Sequence, residues 1–299
     1  MKRALVLGRL RKGRNIDGIV REVRSELRAG GWKVASKVVK RKRDLGRLTA
    51  KAVKDGCDVV VAVGGDGAVG MVATALAETG VRLGIIPTGT GNLLAGNLGI
   101  PRDTTKAART VLNGRIKRID LGRVTVDGDD YDFAVACGVG FDAEVLDATN
   151  TDQKLRWGKL AYLANAVGQT GTIRNVPHEI TIDGVTTSTD ASQVFIANFG
   201  KMLPVIEPRP AIRPADGLLD VVIVRASGPL PGLLATWEAM RQTDLGESSG
   251  GHIFRARGRE IRIETQPSRL VEVDGSVVGR TPVDAKIRPA ALKVIVPRK

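Results

Sequence analysis

The stretch Val59–Ala77, VVVAVGGDGAVGMVATALA, runs an apolar strand pattern straight into Gly-Gly-Asp-Gly and then into a helical pattern. Glycines after a buried strand let backbone N–H groups approach a phosphate, and the following helix adds its unpaired first-turn donors. An aspartate repels phosphate, and no packing reason calls for an acid between these glycines. Asp66 therefore points to Mg²⁺, held directly or through water, or to an attacking hydroxyl that must be oriented. Gly65, Gly67 and Gly70 formally match G-x-G-x-x-G. The loop does not follow the first strand, however, and no suitable acid stands about 20 residues on, so a dinucleotide fingerprint is disfavoured. In that place lies PTGTGN, Pro87–Asn92, where Gly89 and Gly91 permit close backbone approach and Thr90 and Asn92 supply neutral hydrogen-bonding groups. A third loop, GRLRKGRN (Gly8–Asn15), has the outline of a P-loop but carries Arg14 and Asn15 where Lys and Ser/Thr belong. Without the hydroxyl it lacks a Mg²⁺ ligand, and a basic phosphate-facing loop and a plain turn both remain open.

These loops need a scaffold. Strand and helix patterns alternate through the first 120 or so residues: strands at Arg3–Gly8, Trp32–Val39, Asp58–Gly65 and from Arg82, and amphipathic helices at Ile16–Gly31, Asp44–Gly56, Ala68–Gly80 and Asp103–Gly114, with a further helical stretch at Asn92–Ile100. Continuous apolar strands between helices imply a parallel sheet covered on both faces, and ligands bind at the carboxyl ends of such strands. All three glycine-bearing loops sit at those ends. From about Ile119 short alternating segments take over, separated by Asp-Gly and other Gly turns, which reads as antiparallel sheet. Helical patterns interrupt at Trp157–Gln169 and Leu230–Thr243; the latter contains Trp237, and a core-packed helix is the favoured reading over a membrane-inserting one. The expectation is an α/β protein: a three-layer α/β domain over residues 1–121, completed by 283–299, and a β-rich domain over 122–282.

The 299-residue chain is 42% apolar, ample for a core, and no apolar run reaches the roughly 18–20 residues of a membrane span. Cys57 and Cys137 lie in strand-like surroundings, so no disulfide framework is indicated and a cytoplasmic setting fits. The net charge of +14, concentrated at Arg9–Arg14 and Lys37–Arg43, favours anionic partners: nucleotides or acidic lipid surfaces. Nucleic acid is disfavoured because aromatics make up only 3% of the chain and no recognition-motif spacing is found. His178 and His252 are isolated, which argues against a zinc cluster or a His-based triad.

The two loops carry a family resemblance. VVVAVGGDGAVGMV followed by LGIIPTGTGNLLAGNLGIP resembles the catalytic domain of the diacylglycerol kinase, sphingosine kinase and bacterial lipid kinase family, with NAD kinases as distant relatives. KRIDLGRV, ACGVGFDAEV, KLAYLANAV, ADGLLDVVIV and VEVDGSVV then follow in the family's order. The resemblance implies an NAD-kinase-like, three-layer nucleotide-binding domain and a β-sandwich-like lipid-substrate domain, with the active site in a cleft. It implies ATP as phosphoryl donor, Mg²⁺ as cofactor, and a diacylglycerol-like membrane lipid as acceptor, giving a phosphatidate-like product. Gly64, Gly65, Asp66, Gly67 and Ala68 would form the phosphate loop, with Thr90, Gly91 and Asn92 beside the nucleotide. Asp274 would lie near the attacking hydroxyl, and Asp120 in the water and Mg²⁺ network. A structural Mg²⁺ would take the Asp216 carboxylate and the carbonyls of Arg213 and Leu218. Peripheral contact with an anionic membrane follows from the substrate and the basic surface; oligomeric state is not legible, and a homodimer is compatible.

The chain also departs from the family pattern. Gly8–Gly13 replaces an Asn-Pro loop; Ala68 stands for a threonine hydroxyl; Gly70 and Met71 fall where Asn and Glu are usual; Leu93 stands for Asp, and Ser276 for the Glu of a late Asp-Gly-Glu. On the residues alone, Asp274 and Asp216 also read as turn residues and Asp120 as a strand terminator. Two alternatives stand beside a lipid kinase: a catalytically weak nucleotide- or lipid-binding homologue, and an NAD kinase.

Overall fold

A computed structural model of the chain describes residues 1–140, 174–200, 212–225 and 253–298. The helical patterns at 157–169 and 230–243, with Trp237, and His252 lie outside the described residues. The chain divides into two units, Met1–Leu121 with Pro289–Lys299, and Gly122–Arg288.

The first unit runs β1 (Arg3–Arg9), α1 (Ile16–Ala29), β2 (Lys33–Val39), α2 (Lys42–Lys54), β3 (Val59–Gly64), α3 (Asp66–Leu76), β4 (Arg82–Pro87), α4 (Leu93–Asn97) and α5 (Thr104–Asn113), followed by β5 (Arg115–Val126), which leads into the second unit. The strands pair in parallel in the order β2-β1-β3-β4, with Val6 beside Ser36 and Val61, and Val61 beside Gly84. β3 is buried at all six positions, which explains its unbroken apolar run. The chain steps one way from β1 to β2 and then the other way to β3 and β4. Right-handed crossovers therefore place α1 and α5 on one face and α2 and α3 on the other, and each of those pairs is packed together. Local chemistry agrees: the Asn15 side chain caps α1 through Gly18 N, and the Asp103 side chain caps α5 through Lys106 N. The reversal of direction creates a switch point at the carboxyl ends of β1 and β3, where a doubly wound sheet leaves room for a ligand.

The second unit is all β among the described residues. β6 (Asp129–Phe133), β7 (Ala136–Val139), β8 (Val176–Ile182), β9 (Val185–Ala191), β10 (Gln193–Ala197), β11 (Leu219–Val224), β12 (Ile253–Gly258), β13 (Glu260–Thr265), β14 (Leu270–Val273), β15 (Ser276–Arg280) and the start of β16 (Val283–Val296) belong to it. One antiparallel sheet has the order β12-β11-β10-β7-β14-β15; β16, β13, β8 and β9 pair antiparallel in the other layer. Val124, Phe133, Val139, Ile180, Ile196, Ile263 and Val271 share one core, so the unit is a β-sandwich. Three two-residue Asp-Gly turns, Asp127-Gly128, Asp183-Gly184 and Asp274-Gly275, have positive φ at both positions and close the β5–β6, β8–β9 and β14–β15 hairpins.

β9 and β12 had no strand reading in the sequence. VTTSTDA is largely exposed on an edge and IFRARG is charged, so neither shows clean alternation. β16 starts eight residues before the expected Ala291: it continues through Pro289, with Ala290 at φ +50, where a proline would be taken as a stop. Its last part leaves the sandwich and pairs in parallel with β4, Lys293 beside Arg82, as a fifth strand of the first unit.

His178 is core rather than chemistry. It is 2% exposed, its Nδ1 donates to Val176 O at 2.8 Å, and Nε2 has no partner among the described residues. Burial holds its pKa below the ordinary imidazole value, with the charge of Arg269 acting the same way. A folded pKa below the unfolded one means that the unfolded chain takes up protons first as pH falls. Stability is therefore expected to be full above about pH 6.5 and to decline beneath it. Urea unfolding between about pH 7.5 and 5.5 checks this, and His178→Leu should flatten the upper part of that decline.

Candidate active site

At the end of β3, Gly65 caps α3 with no side-chain hydrogen bond, and its carbonyl accepts from Ala68 N (2.9 Å) and Val69 N (3.0 Å). The amides of Asp66 and Gly67 belong to the first helical turn, whose donors have no intrahelical acceptor, so they suit an anion. The PTGTGN loop lies directly against this turn. Thr88 N donates to Gly64 O at 2.9 Å. A Cβ placed on Gly89 would stand 2.5 Å from Gly65 Cα, and one on Gly91 would stand 2.7 Å from Asp66 Oδ2. The two loops are stacked backbone against backbone at Gly65 and Gly89, and the Gly91 backbone lies against the Asp66 carboxylate, approaches that a side chain at 89 or 91 would obstruct.

Asp66 is what joins them. Its Oδ2 accepts from Asn92 N at 2.9 Å and its Oδ1 from Leu93 N at 2.6 Å, so it caps α4 from another loop. The expectation that an acid here lacks a structural reason is thereby corrected: it fastens the two glycine loops. Each oxygen keeps a second lone pair, so the carboxylate also fits a Mg²⁺ approached through water. Asn92, 6% exposed and left-handed at φ +53, closes its own loop: Oδ1 accepts from Gly89 N (2.9 Å) and Nδ2 donates to Gly89 O (2.8 Å). Thr90 is exposed at the tip of that loop.

Of the expected phosphate-loop members, Ala68 is 7% exposed, and a Cβ on Gly64 would stand 2.5 Å from the Ala68 methyl. Met71 carries its sulfur 3.3 Å from where a Cβ on Gly46 of α2 would lie, so this departure serves helix packing. The sequence marked Lys37–Arg43 only as a charged cluster; the structure singles out Lys42. Its Nζ lies 3.5 Å from a Cβ built on Gly67, beside the phosphate loop. The signal was its place at the first position of α2, after a strand neighbouring β1.

Of the other expected residues, Asp120 belongs to the first unit, and Asp274 and Asp216 to the second. Asp120, 2% exposed, accepts from Ala290 N at 2.7 Å and so anchors the backbone of β16 at its left-handed residue. Asp274 (φ +44) is the first residue of its hairpin turn. Its Oδ2 accepts from Ala134 N (2.8 Å), and its Oδ1 from Val135 N (3.0 Å) and Ala136 N (3.1 Å). The same device recurs at Asp183, whose Oδ1 accepts from Glu260 N (2.8 Å) and Arg259 N (2.9 Å), bonds that hold its pKa below the ordinary carboxylate value. The turn reading of Asp274 is thus correct, and the three donors also hold its carboxylate in a fixed position.

Asp216 accepts from Leu218 N at 3.2 Å across Gly217 (φ +74), and its Oδ2 is paired with the Arg257 guanidinium. Asp220, fully buried, takes Arg255 Nε at 2.6 Å and Arg257 Nε at 3.2 Å on Oδ1. Burial pushes its pKa up, against the pull of both arginines. The Asp216 carboxylate already faces a cation, so the set Arg213, Asp216 and Leu218 does not fit a structural Mg²⁺ as it stands. Among the described residues, no group of three or more His, Cys, Asp or Glu could hold a metal, and no helix is long and apolar enough to cross a membrane.

Residues 4–124 match the family described as the diacylglycerol kinase catalytic domain, and residues 135–296 match the YegS C-terminal NAD kinase beta sandwich-like domain. A protein named diacylglycerol kinase from Mycobacterium tuberculosis is 32% identical over 264 residues, 85% of this chain and 82% of that one. An uncharacterised Synechocystis protein is 31% identical over 265 residues, 88% of this chain; the chain spans 60% of that relative's length. The crystal structure of a diacylglycerol kinase from Bacillus anthracis superposes with a TM-score of 0.75 at 22% identity, covering 99% of this chain and 96% of that one, which shows a shared fold.

Proposed function

Because this chain belongs to the diacylglycerol kinase-like family of lipid kinases, we propose that it transfers the γ-phosphoryl group of ATP, as its Mg²⁺ complex, to a hydroxyl of diacylglycerol or a similar lipid. The observation that carries this reading is the Asp66 bridge between the two glycine loops at the sheet's switch point. The first-turn amides of α3 receive the phosphates, Gly65, Gly89 and Gly91 let backbone close on them, and Lys42 adds a positive charge on the same side. Mg²⁺ supplies neutralisation of charge on the β and γ oxygens. Asp274, fixed by its three N–H donors, is the proposed acceptor of the lipid hydroxyl's proton, a role that falls to it because Ser276 cannot act as a base at neutral pH without activation. The basic surface brings the protein to anionic membranes, where its substrate resides.

The test is phosphatidate formation from ATP, Mg²⁺ and diacylglycerol in mixed micelles, extended over a panel of lipids. Turnover is expected, and Lys42→Met should raise KM for ATP about tenfold, the equivalent of one charge-assisted hydrogen bond to phosphate. A second reading rests on the missing hydroxyl at Ala68 and on Ser276: ATP binding with no turnover across the panel would establish a weak homologue. Phosphorylation of NAD would replace the lipid-kinase reading.

A further inference from the structure

Within the second unit, β11 and β12 pair with Asp220 opposite Arg257. On that pair stand two carboxylates and two guanidiniums. Arg257 bonds Asp216 through Nη2 and Asp220 through Nε, and Arg255 bonds Asp220 through Nε and Nη2 at 2.6 and 2.5 Å. The Asp220 side chain is fully buried and the Arg255 side chain is 9% exposed, while Arg257 and Asp216 are 40% and 22% exposed. The formal charges cancel. A divalent ion on Asp216 would add two positive charges beside a guanidinium that cannot give up its proton. It would also have only one carboxylate and two carbonyls to hold it, a weak set for Mg²⁺, which gives up its water shell reluctantly.

We propose that Arg257 is an internal replacement for a structural divalent cation, so that this chain holds its Asp216 turn without metal. Arg257 is anchored on a strand, so it is present at the carboxylate whatever the metal concentration. The covalent attachment makes the pairing intramolecular, and a weakly held ion in free solution competes poorly with it. The guanidinium also spans two acids at once, linking the Asp216 turn to the buried Asp220, which a single ion on Asp216 would not do. Oδ2 of Asp220 is the one acceptor of this group without a hydrogen-bond partner among the described residues, and no group of three or more His, Cys, Asp or Glu among them could hold a metal.

Thermal unfolding of the full chain, without nucleotide and at matched ionic strength, tests the proposal independently of catalysis. Wild type should melt at the same temperature, within about 1 °C, in EDTA and in about 10 mM Mg²⁺. Arg257→Gln removes the internal charge and exposes Asp216. Its melting temperature should fall in EDTA and recover by about 2–4 °C as Mg²⁺ is added, with saturation. Asp216→Asn made in the Arg257→Gln background should abolish that recovery. Saturable Mg²⁺ stabilisation of wild type that Asp216→Asn removes would overturn the proposal. So would an Arg257→Gln protein that folds but does not respond to Mg²⁺. Should Arg257→Gln not fold, direct calorimetric titration of wild type with Mg²⁺ decides: no saturable heat supports the internal cation, and a stoichiometric site lost in Asp216→Asn refutes it.

Discussion

Asp66→Ala is expected to lower kcat/KM for phosphoryl transfer by about 10³-fold or more, the largest loss of any single substitution in the first unit. Two effects combine. The carboxylate holds Asn92 N and Leu93 N, and without it the TGTGN loop is no longer fastened to the first turn of α3. Displacement of positioning groups by about 1 Å costs on the order of 10²-fold. The charge proposed to manage Mg²⁺ or the attacking hydroxyl disappears as well, and loss of such a group costs roughly 10²–10⁴-fold when it takes part in proton transfer. The two part-buried amides are left without their acceptor, at about 1–3 kcal/mol of stability. Asp66→Asn separates the contributions. Its single carbonyl oxygen can accept from only one of the two amides, and its NH₂ group faces the other, so the clamp is half kept while the charge is gone. Initial rates measured alongside amide exchange at Leu93 distinguish the cases. Faster exchange with a modest rate loss would make Asp66 a clamp alone; native-like exchange with a full rate loss would assign its charge to the chemistry.

The second large effect is expected at Asp274. Asp274→Asn should lower kcat by about 10²–10⁴-fold with KM for ATP within about twofold, as the loss of a general base would. Asparagine tolerates the left-handed conformation that the turn demands, so the hairpin survives. Of the three amides the carboxylate holds, at Ala134, Val135 and Ala136, Asn keeps an acceptor for some and presents a donor to the remainder. The readout that isolates chemistry is the pH–rate profile. Wild type should lose activity on the acid side as its base is protonated, and the variant's residual rate should lack that limb. If the variant instead loses activity only in proportion to a lowered melting temperature, with its acid limb retained, Asp274 is a hairpin clamp like Asp183 and the proton acceptor lies elsewhere.

Much of the first unit is readable from local pattern because its determinants are local. VVVAVG is continuous because β3 is covered on both faces, and Asn15 and Asp103 mark helix starts by bonding amides three residues on. The glycine loops are visible for the same reason. What joins them is not: Asp66 reaches amides 26 and 27 residues away, and nothing near residue 66 in sequence announces a hydrogen bond to the start of α4. Asp216 shows the same limit more sharply. Its turn chemistry is written in Asp-Gly, but the arginine that neutralises it stands 41 residues further on, in a charged strand without clean alternation. β9 escaped because a strand with one solvent face and an edge position needs no apolar repeat, and Thr-rich VTTSTDA has none. The carboxylates illustrate the general difficulty. In this chain Asp66, Asp183 and Asp274, each followed by glycine, all accept backbone amides, so an aspartate next to a glycine marks a fixed backbone as reliably as it marks chemistry.

The last stretch of β16 has a consequence for how the protein is made. The ribosome finishes residue 121 long before it reaches Pro289, yet β4 has its outer neighbour only when Lys293 and Val294 arrive. At roughly 5–20 residues per second, the interval is on the order of 10–30 s. Throughout it the nascent first unit carries an unpaired, largely apolar parallel edge, and Asp120 waits for the Ala290 amide. An open edge of that kind invites pairing with other chains. The first unit is therefore finished only after the second has been synthesised, and it cannot be excised as a contiguous fragment without leaving that edge bare.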